Sequence, residues 1–427
     1  MKVISAADPG AAAAGLRRAS RILSDSLIEE TRTIMKAVAV HGDSALLDYA
    51  AKFDGARIDS LRVTSEEIDN AYSHVSKEQQ RAIRLMKDRL AKSELALLRR
   101  LKGIAVSFEG VRVDRQIKPV SSVGCYIPGG RARYPSTAVM CAVPAKIAGV
   151  KRIVAISPPG KDGSIDPLTL VAADMCGVDE FYKVGGAHGI AALTYGTQSV
   201  KPVSKIVGPG GSFVTAAKVA ASGSVSIDMV AGPTELLIYA DAAADPRLVA
   251  FDLVSQAEHG HDTICGLVTT SDKLAGQVQS EVKSLIERIA RSDIVKSSLE
   301  QNGFVAVCRN ESDCVEFVNE FAPEHLEIMS KNADRVAGRI DSAGLVLVGD
   351  STPSSASDYC LGSNHVLPTL GFGKSRASLS VLDFVKIVNK VKASTAGLKK
   401  IERPLREMAG AEGLLNHYEA VKARSDK

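Results

Sequence analysis

From about Arg115 onward the chain repeats one rhythm: a short β-branched run, a glycine-rich break, then a stretch with helical spacing. That alternation limits the fold more than any other feature. Successive strands joined by helices pair in parallel, because a parallel pair needs a long crossover, and the result is a doubly wound α/β sheet. The runs Val120–Tyr126, Arg152–Ile156 and Glu180–Val184 read as buried strands, with helices over Ala138–Ala148, from Ile190 and over Val214–Ala221. After Met229 the rhythm restarts. Leu236–Ala240, Thr263–Val268 and Gly344–Val348 read as strands, and Pro246–Glu258 and Asp272–Arg291 as helices. Two tandem, incomplete Rossmann-like units are expected, 115–233 and 234–382.

The flanks read differently. Ser24-Asp25-Ser26 caps a periodic stretch through Val40, His41-Gly42-Asp43 stops it, and further helical stretches start at Ser65 and run from Glu78 to Leu101. Residues 1–114 are therefore expected as a helical N-terminal arm, which by itself means packing or dimerisation. The tail, 383–427, is expected as a helical appendage. A net charge of +4 over 427 residues, with no long Lys/Arg run, argues against a nucleic-acid partner. The absence of tryptophan argues, weakly, against base-stacking or sugar-binding surfaces. No apolar run reaches the roughly 20 residues that span a bilayer. Seven scattered cysteines with no C-x-x-C pair and no secretory pattern at the N-terminus fit a reducing cytoplasm.

Three glycine-rich turns follow strands of the first unit: Pro128-Gly129-Gly130, Gly185-Gly186 and Gly208-Pro209-Gly210-Gly211. Such turns let backbone approach a phosphate at a helix N-terminus, although none is a G-x-G-x-x-G and each alone is an ordinary βα turn. The second half gathers the chemistry. Gln256 and His259, three apart, share a helical face; Glu324-His325 follows Ala322-Pro323, where the proline biases Ala322 to extended backbone; Asp358 and His365 flank a Ser/Gly-rich loop; Glu412 and His417 lie in the tail. Nitrogen and oxygen donors with almost no sulfur suit a borderline divalent metal such as zinc in an open site. Taken singly each histidine is more often structural; taken together they form a metal and acid–base set.

These boxes resemble the histidinol dehydrogenase family. The resemblance rests on Ser255-Gln256-Ala257-Glu258-His259-Gly260, Ala322-Pro323-Glu324-His325-Leu326 and Gly362-Ser363-Asn364-His365-Val366-Leu367-Pro368-Thr369. It extends to Tyr126-Ile127-Pro128-Gly129-Gly130, Ala231-Gly232-Pro233-Thr234-Glu235 and Ala411-Glu412-Gly413-Leu414, in the family order. It implies one zinc per subunit on Gln256, His259, Asp358 and His417, and an acid–base pair, Glu324 and His325. Substrate contacts would come from Thr234, His365 and Glu412 as well as from the zinc ligands and His325. It further implies a homodimer in which Glu412 and His417 reach the partner's site. The implied reaction is NAD-linked oxidation of L-histidinol to L-histidine through an aldehyde, the last step of histidine biosynthesis.

The departures fall on other positions. His188 stands where the family usually has Gln, Gly211 where it has Asn, and Thr234 where it has Ser; Tyr126 is retained. Tyr126, His188 and Gly211 are the implied dinucleotide contacts. Two other readings compete: a family paralogue oxidising another small polar alcohol, and a zinc-binding protein that has lost catalysis.

Overall fold

The structure, a computed structural model, describes residues 1–18, 23–129 and 133–425. Gly130 of the first glycine turn lies outside the described residues. Two parallel sheets carry the fold, as the strand–helix rhythm dictates. The first has five strands in the order Glu180–Lys183, Arg152–Ser157, Ser122–Tyr126, Lys205–Val207, Ser226–Ile227. The second has six, in the order Lys2–Ser5, Phe304–Val307, Ile264–Thr269, Glu235–Ala240, His325–Met329, Leu345–Val348. Burial explains the composition of the strands: all five residues of Ser122–Tyr126 and all six of Glu235–Ala240 are buried, so neither shows polar alternation. Apolar clusters fill both faces of each sheet.

The flanks correct the helical expectation. Lys2–Ser5 pairs in parallel with Phe304–Val307 and forms an edge of the second sheet. Ile104–Phe108, Val111–Pro119 and Val385–Ala393 form a separate antiparallel sheet that joins the arm to the tail. The missed signal is one of period: Val385, Ile387 and Val391 alternate with lysines, which makes a strand rather than a polar helix. The remaining arm is helical and capped where expected, with Ser24 accepting the N–H of Leu27 and Gly42 ending the helix Asp25–His41 at φ 60°. The helix expected over 272–291 stops at Ile286, and Arg291 turns through φ 60° into a second helix, Ser292–Gln301.

Candidate active site

The carboxyl edge of the first sheet faces the amino edge of the second across a cleft of about 610 Å³. Pro128 and the Gly208–Gly211 turn line one side; Thr234, Gln256, His259, Glu324 and His325 line the other, with Asp358 and His365 completing it. The usual expectation that α/β ligands sit at strand carboxyl ends therefore holds for the first unit only. In the second, the chemistry stands at strand beginnings. His325 opens its strand between Leu236 and Leu345, and Thr234 immediately precedes Glu235–Ala240. Gly344 is required there, since a Cβ would stand 2.6 Å from the carbonyl oxygen of Glu324.

The backbone entering Glu324-His325 is not extended. Ala322 has φ 49° and ψ 66°. Proline disfavours the right-handed helical region for its predecessor, and the Ala322 N–H donates to the Val318 carbonyl (2.8 Å) as a left-handed helix cap. The cap selects the alternative the proline leaves open.

Hydrogen bonds then define each side chain. Glu324 is 7% exposed; its Oε2 accepts from the Thr234 hydroxyl (2.7 Å) and the Glu235 N–H (2.7 Å). Gln256 Nε2 donates to Thr234 Oγ1 (2.9 Å), which orients the amide and leaves its Oε1 towards Ser354 Oγ, 3.4 Å away. His325 Nδ1 lies 3.2 Å from the carbonyl of Glu235, so Nδ1 carries the proton and Nε2 is the basic nitrogen. That Nε2 is buried, 3.8 Å from Asp358 Oδ1, and has no hydrogen-bond partner among the described residues. Burial pulls the imidazole pKa down, but the carboxylates of Glu324 and Asp358 outweigh it and the net shift is upward. His365 takes the carbonyl of Asp358 at Nδ1 (2.8 Å), and burial holds its pKa below the ordinary value against the Asp358 carboxylate.

One chain thus brings together Thr234, Gln256, His259, Glu324, His325, Asp358, His365 and Gly211. It does not bring Glu412 or His417. Both are exposed, Glu412 capping the helix Thr395–Ala411 and His417 on the helix Leu415–Ser425, and these two helices pack on each other. Tyr126 and His188 are buried behind the cleft wall. The Gly186 N–H donates to the Tyr126 hydroxyl (3.2 Å), and the His188 ring lies 5.6 Å from Tyr49 and 6.1 Å from Phe53. Among the described residues no three His, Cys, Asp or Glu side chains converge on a metal position. The donor set nevertheless suits zinc: a histidine, a carboxylate and an amide oxygen share the cleft, and the orphaned His325 Nε2 shows that the site is built for a polar occupant.

A glycine turn of the kind that receives phosphate thus shares the cleft with the buried Glu324 and His325. The histidinol dehydrogenase family model matches residues 17–425. The chain is 40% identical over 400 residues to the histidinol dehydrogenase of Methanocaldococcus jannaschii, covering 94% of this chain and 93% of that one. With that of Archaeoglobus fulgidus it shares 41% identity over 412 residues, 96% and 98% of the two chains. The crystal structure of histidinol dehydrogenase from Elizabethkingia anophelis superposes with a TM-score of 0.93 at 35% identity, covering 99% of this chain and 98% of that one. The chain belongs to the histidinol dehydrogenase family.

Proposed function

We propose that the protein oxidises L-histidinol to L-histidine through the aldehyde, with zinc bound by Gln256, His259, Asp358 and the His417 of a second copy, and NAD as oxidant. The observation that carries this reading is the buried Glu324–His325 pair with its unpartnered Nε2 facing the Asp358 carboxylate among the donors. Bound zinc would anchor and orient the amino alcohol, and two NAD would each accept a hydride, one from the alcohol and one from the hydrated aldehyde. His325 Nε2 takes the alcohol proton, and the neighbouring carboxylates stabilise the resulting imidazolium. Glu324 holds Oε2 in two hydrogen bonds, which leaves Oε1 to activate water for attack on the aldehyde. His365 and the partner's Glu412 would hold the substrate's polar groups, and Thr234 keeps Glu324 and Gln256 in register. The Gly208–Gly211 turn would receive the dinucleotide.

The homodimer reading is supported by what the chain leaves outside. Glu412 and His417 stand on an outlying helix pair with Met408, Leu414 and Leu415 exposed, and the antiparallel sheet exposes Ile104, Val106 and Phe108. No described helix is long and apolar enough to cross a membrane. A cytoplasmic location is part of the proposal and rests on the scattered, unpaired cysteines. The test is NADH formation with L-histidinol set against unrelated amino alcohols; equal rates with all of them would favour a paralogue with another small alcohol as substrate, and none with any would favour a zinc-binding protein without catalysis.

A further inference from the structure

Four non-glycine residues adopt positive φ among the described residues, and two of them, Ala322 and Leu370 (φ 58°), meet at one buried ion pair. Arg17, from the helix Pro9–Arg18, forms a forked pair with Glu235: Nη1 bonds Oε1, and Nη2 lies 2.8 Å from Oε2. The Glu235 side chain is fully buried and that of Arg17 is 12% exposed. The guanidinium also donates to the carbonyls of Phe321 (2.7 Å) and Ala322 (3.1 Å), and stacks 3.8 Å over the Phe321 ring. Both strained residues are therefore tied to this pair, since Glu235 Oε1 accepts the Leu370 N–H (3.0 Å).

Glu235 is also the residue on which the acid–base pair hangs. Its side chain accepts the N–H of Glu324 (3.2 Å), its own N–H donates to the Glu324 carboxylate, and its carbonyl takes His325 Nδ1. Three of its groups thus set the backbone of Glu324, the carboxylate of Glu324 and the tautomer of His325. Without Arg17 the Glu235 carboxylate would be a buried charge with two N–H donors among the described residues, and burial already pushes its pKa upward against the pull of Arg17. The Phe321–Pro323 turn would lose three of its anchors as well.

We propose that Arg17 and Glu235 are positioning residues that fix Glu324 and His325 in catalytic register, so that the N-terminal helix is part of the active-site scaffold. This rests on the acid–base reading of Glu324 and His325. Neither residue touches the cleft; Arg17 acts through Glu235, and Glu235 through the pair.

The test compares Arg17→Gln, Arg17→Lys, Glu235→Gln and the double Arg17→Gln/Glu235→Gln variant in the full-length protein. Misplacing catalytic groups by an ångström costs on the order of 100-fold in rate, so Arg17→Gln should lower kcat by roughly 10- to 100-fold while the KM for NAD holds. Arg17→Lys keeps the charge but not the fork, and should restore part of the loss. The double variant should be no worse than the worse single, because the two act as one unit. Imidazole 15N spectra of histidine-labelled protein give a readout that needs no turnover: His325 should lose its fixed Nδ1–H tautomer in Arg17→Gln. Wild-type kcat and an unchanged His325 signal in folded Arg17→Gln would overturn the proposal. Should that variant not fold, Arg17→Lys decides: full kcat in its folded fraction with a lowered melting temperature would mean a purely structural pair. A wild-type protein inactive on histidinol would instead overturn the functional reading, with the spectra still judging the pair.

Discussion

Asp228→Asn tests how the glycine turn of the cleft is held. Lys218 and Asp228 form an ion pair with side chains 2% and 0% exposed. Lys218 Nζ donates to the Gly208 carbonyl (2.8 Å), and Asp228 accepts the N–H groups of Gly208 (2.7 Å) and Met229 (2.6 Å). Both polar groups of Gly208 are thereby fixed, at a φ of 111° where a Cβ would stand 2.2 Å from the Tyr126 carbonyl oxygen. Asparagine is nearly isosteric but leaves the Lys218 ammonium buried with no counter-charge. Breaking a buried pair from one side costs about 3–5 kcal/mol, a large part of the roughly 5–15 kcal/mol that holds a typical protein folded. Asp228→Asn should lose about that much in urea unfolding, and its KM for NAD should rise more than its KM for histidinol because the turn lines the cleft. Lys218→Met/Asp228→Asn removes both charges and should be more stable than Asp228→Asn alone. A loss below about 1 kcal/mol, or a double variant whose loss equals the sum of the singles, would refute the buried-pair argument.

Other outcomes follow from the site. A strong chelator should abolish activity and zinc restore it, and His259→Ala should hold well below one zinc per subunit; full activity in thoroughly metal-free protein would sink the metal assignment. His325→Ala should impair both oxidation steps, and Glu324→Gln chiefly the aldehyde step, by roughly 100- to 10,000-fold; histidinal supplied directly separates the two. If the proposed dimer shares its sites, mixing refolded His259→Ala and His417→Ala chains should return roughly a quarter of wild-type activity, since about half the dimers would be mixed and one of their two sites intact. Burial lowers the His188 pKa to about 4, so only the unfolded chain takes up this proton as pH falls from 6.5 towards 4, and stability drops across that window. His188→Gln should flatten that part of the stability profile; an unchanged acid profile would place the histidine in a wetter setting.

Why some features could be read from sequence and others could not is a matter of range. Strands such as Arg152–Ser157, and the helix caps at Ser24 and Gly42, are written in adjacent residues, where burial period and cap chemistry act. Residue type alone marks Gln256, His259, Glu324, His325, Asp358 and His365 as a candidate metal and acid–base set, but spacing leaves each histidine singly an ordinary structural residue, and individual roles come only from the resemblance of short boxes to a family. Arg17 and Glu235 lie 218 residues apart, and neither carries a local pattern that marks a partner. The strand Lys2–Ser5 was equally silent, since four residues at an edge take their conformation from the Phe304–Val307 strand beside them. The backbone of Ala322 went the other way: the proline rule was right about what it forbids, and the helix cap decided between the regions it allows.

Sequence range matters for the proposed metal site too. Gln256 and His259 come from one helix end, and Asp358 follows the short turn Ser354–Ser357, whose first N–H is held by the buried Glu327 carboxylate at 2.5 Å. Gln256 is buried and oriented by Thr234, whereas His259 is exposed, so a metal bound there would have to order the histidine on arrival. In the proposed assignment the fourth donor, His417, comes from a second copy, because within its own chain it sits on the outlying helix pair. In the proposed dimer that donor arrives only with the second copy, so subunit association and zinc affinity would be linked: each raises the other by the same free energy, as binding at coupled sites must. A catalytic zinc also needs an open position for substrate, and three donors held by one chain with a fourth from its neighbour would leave the cleft face free for it.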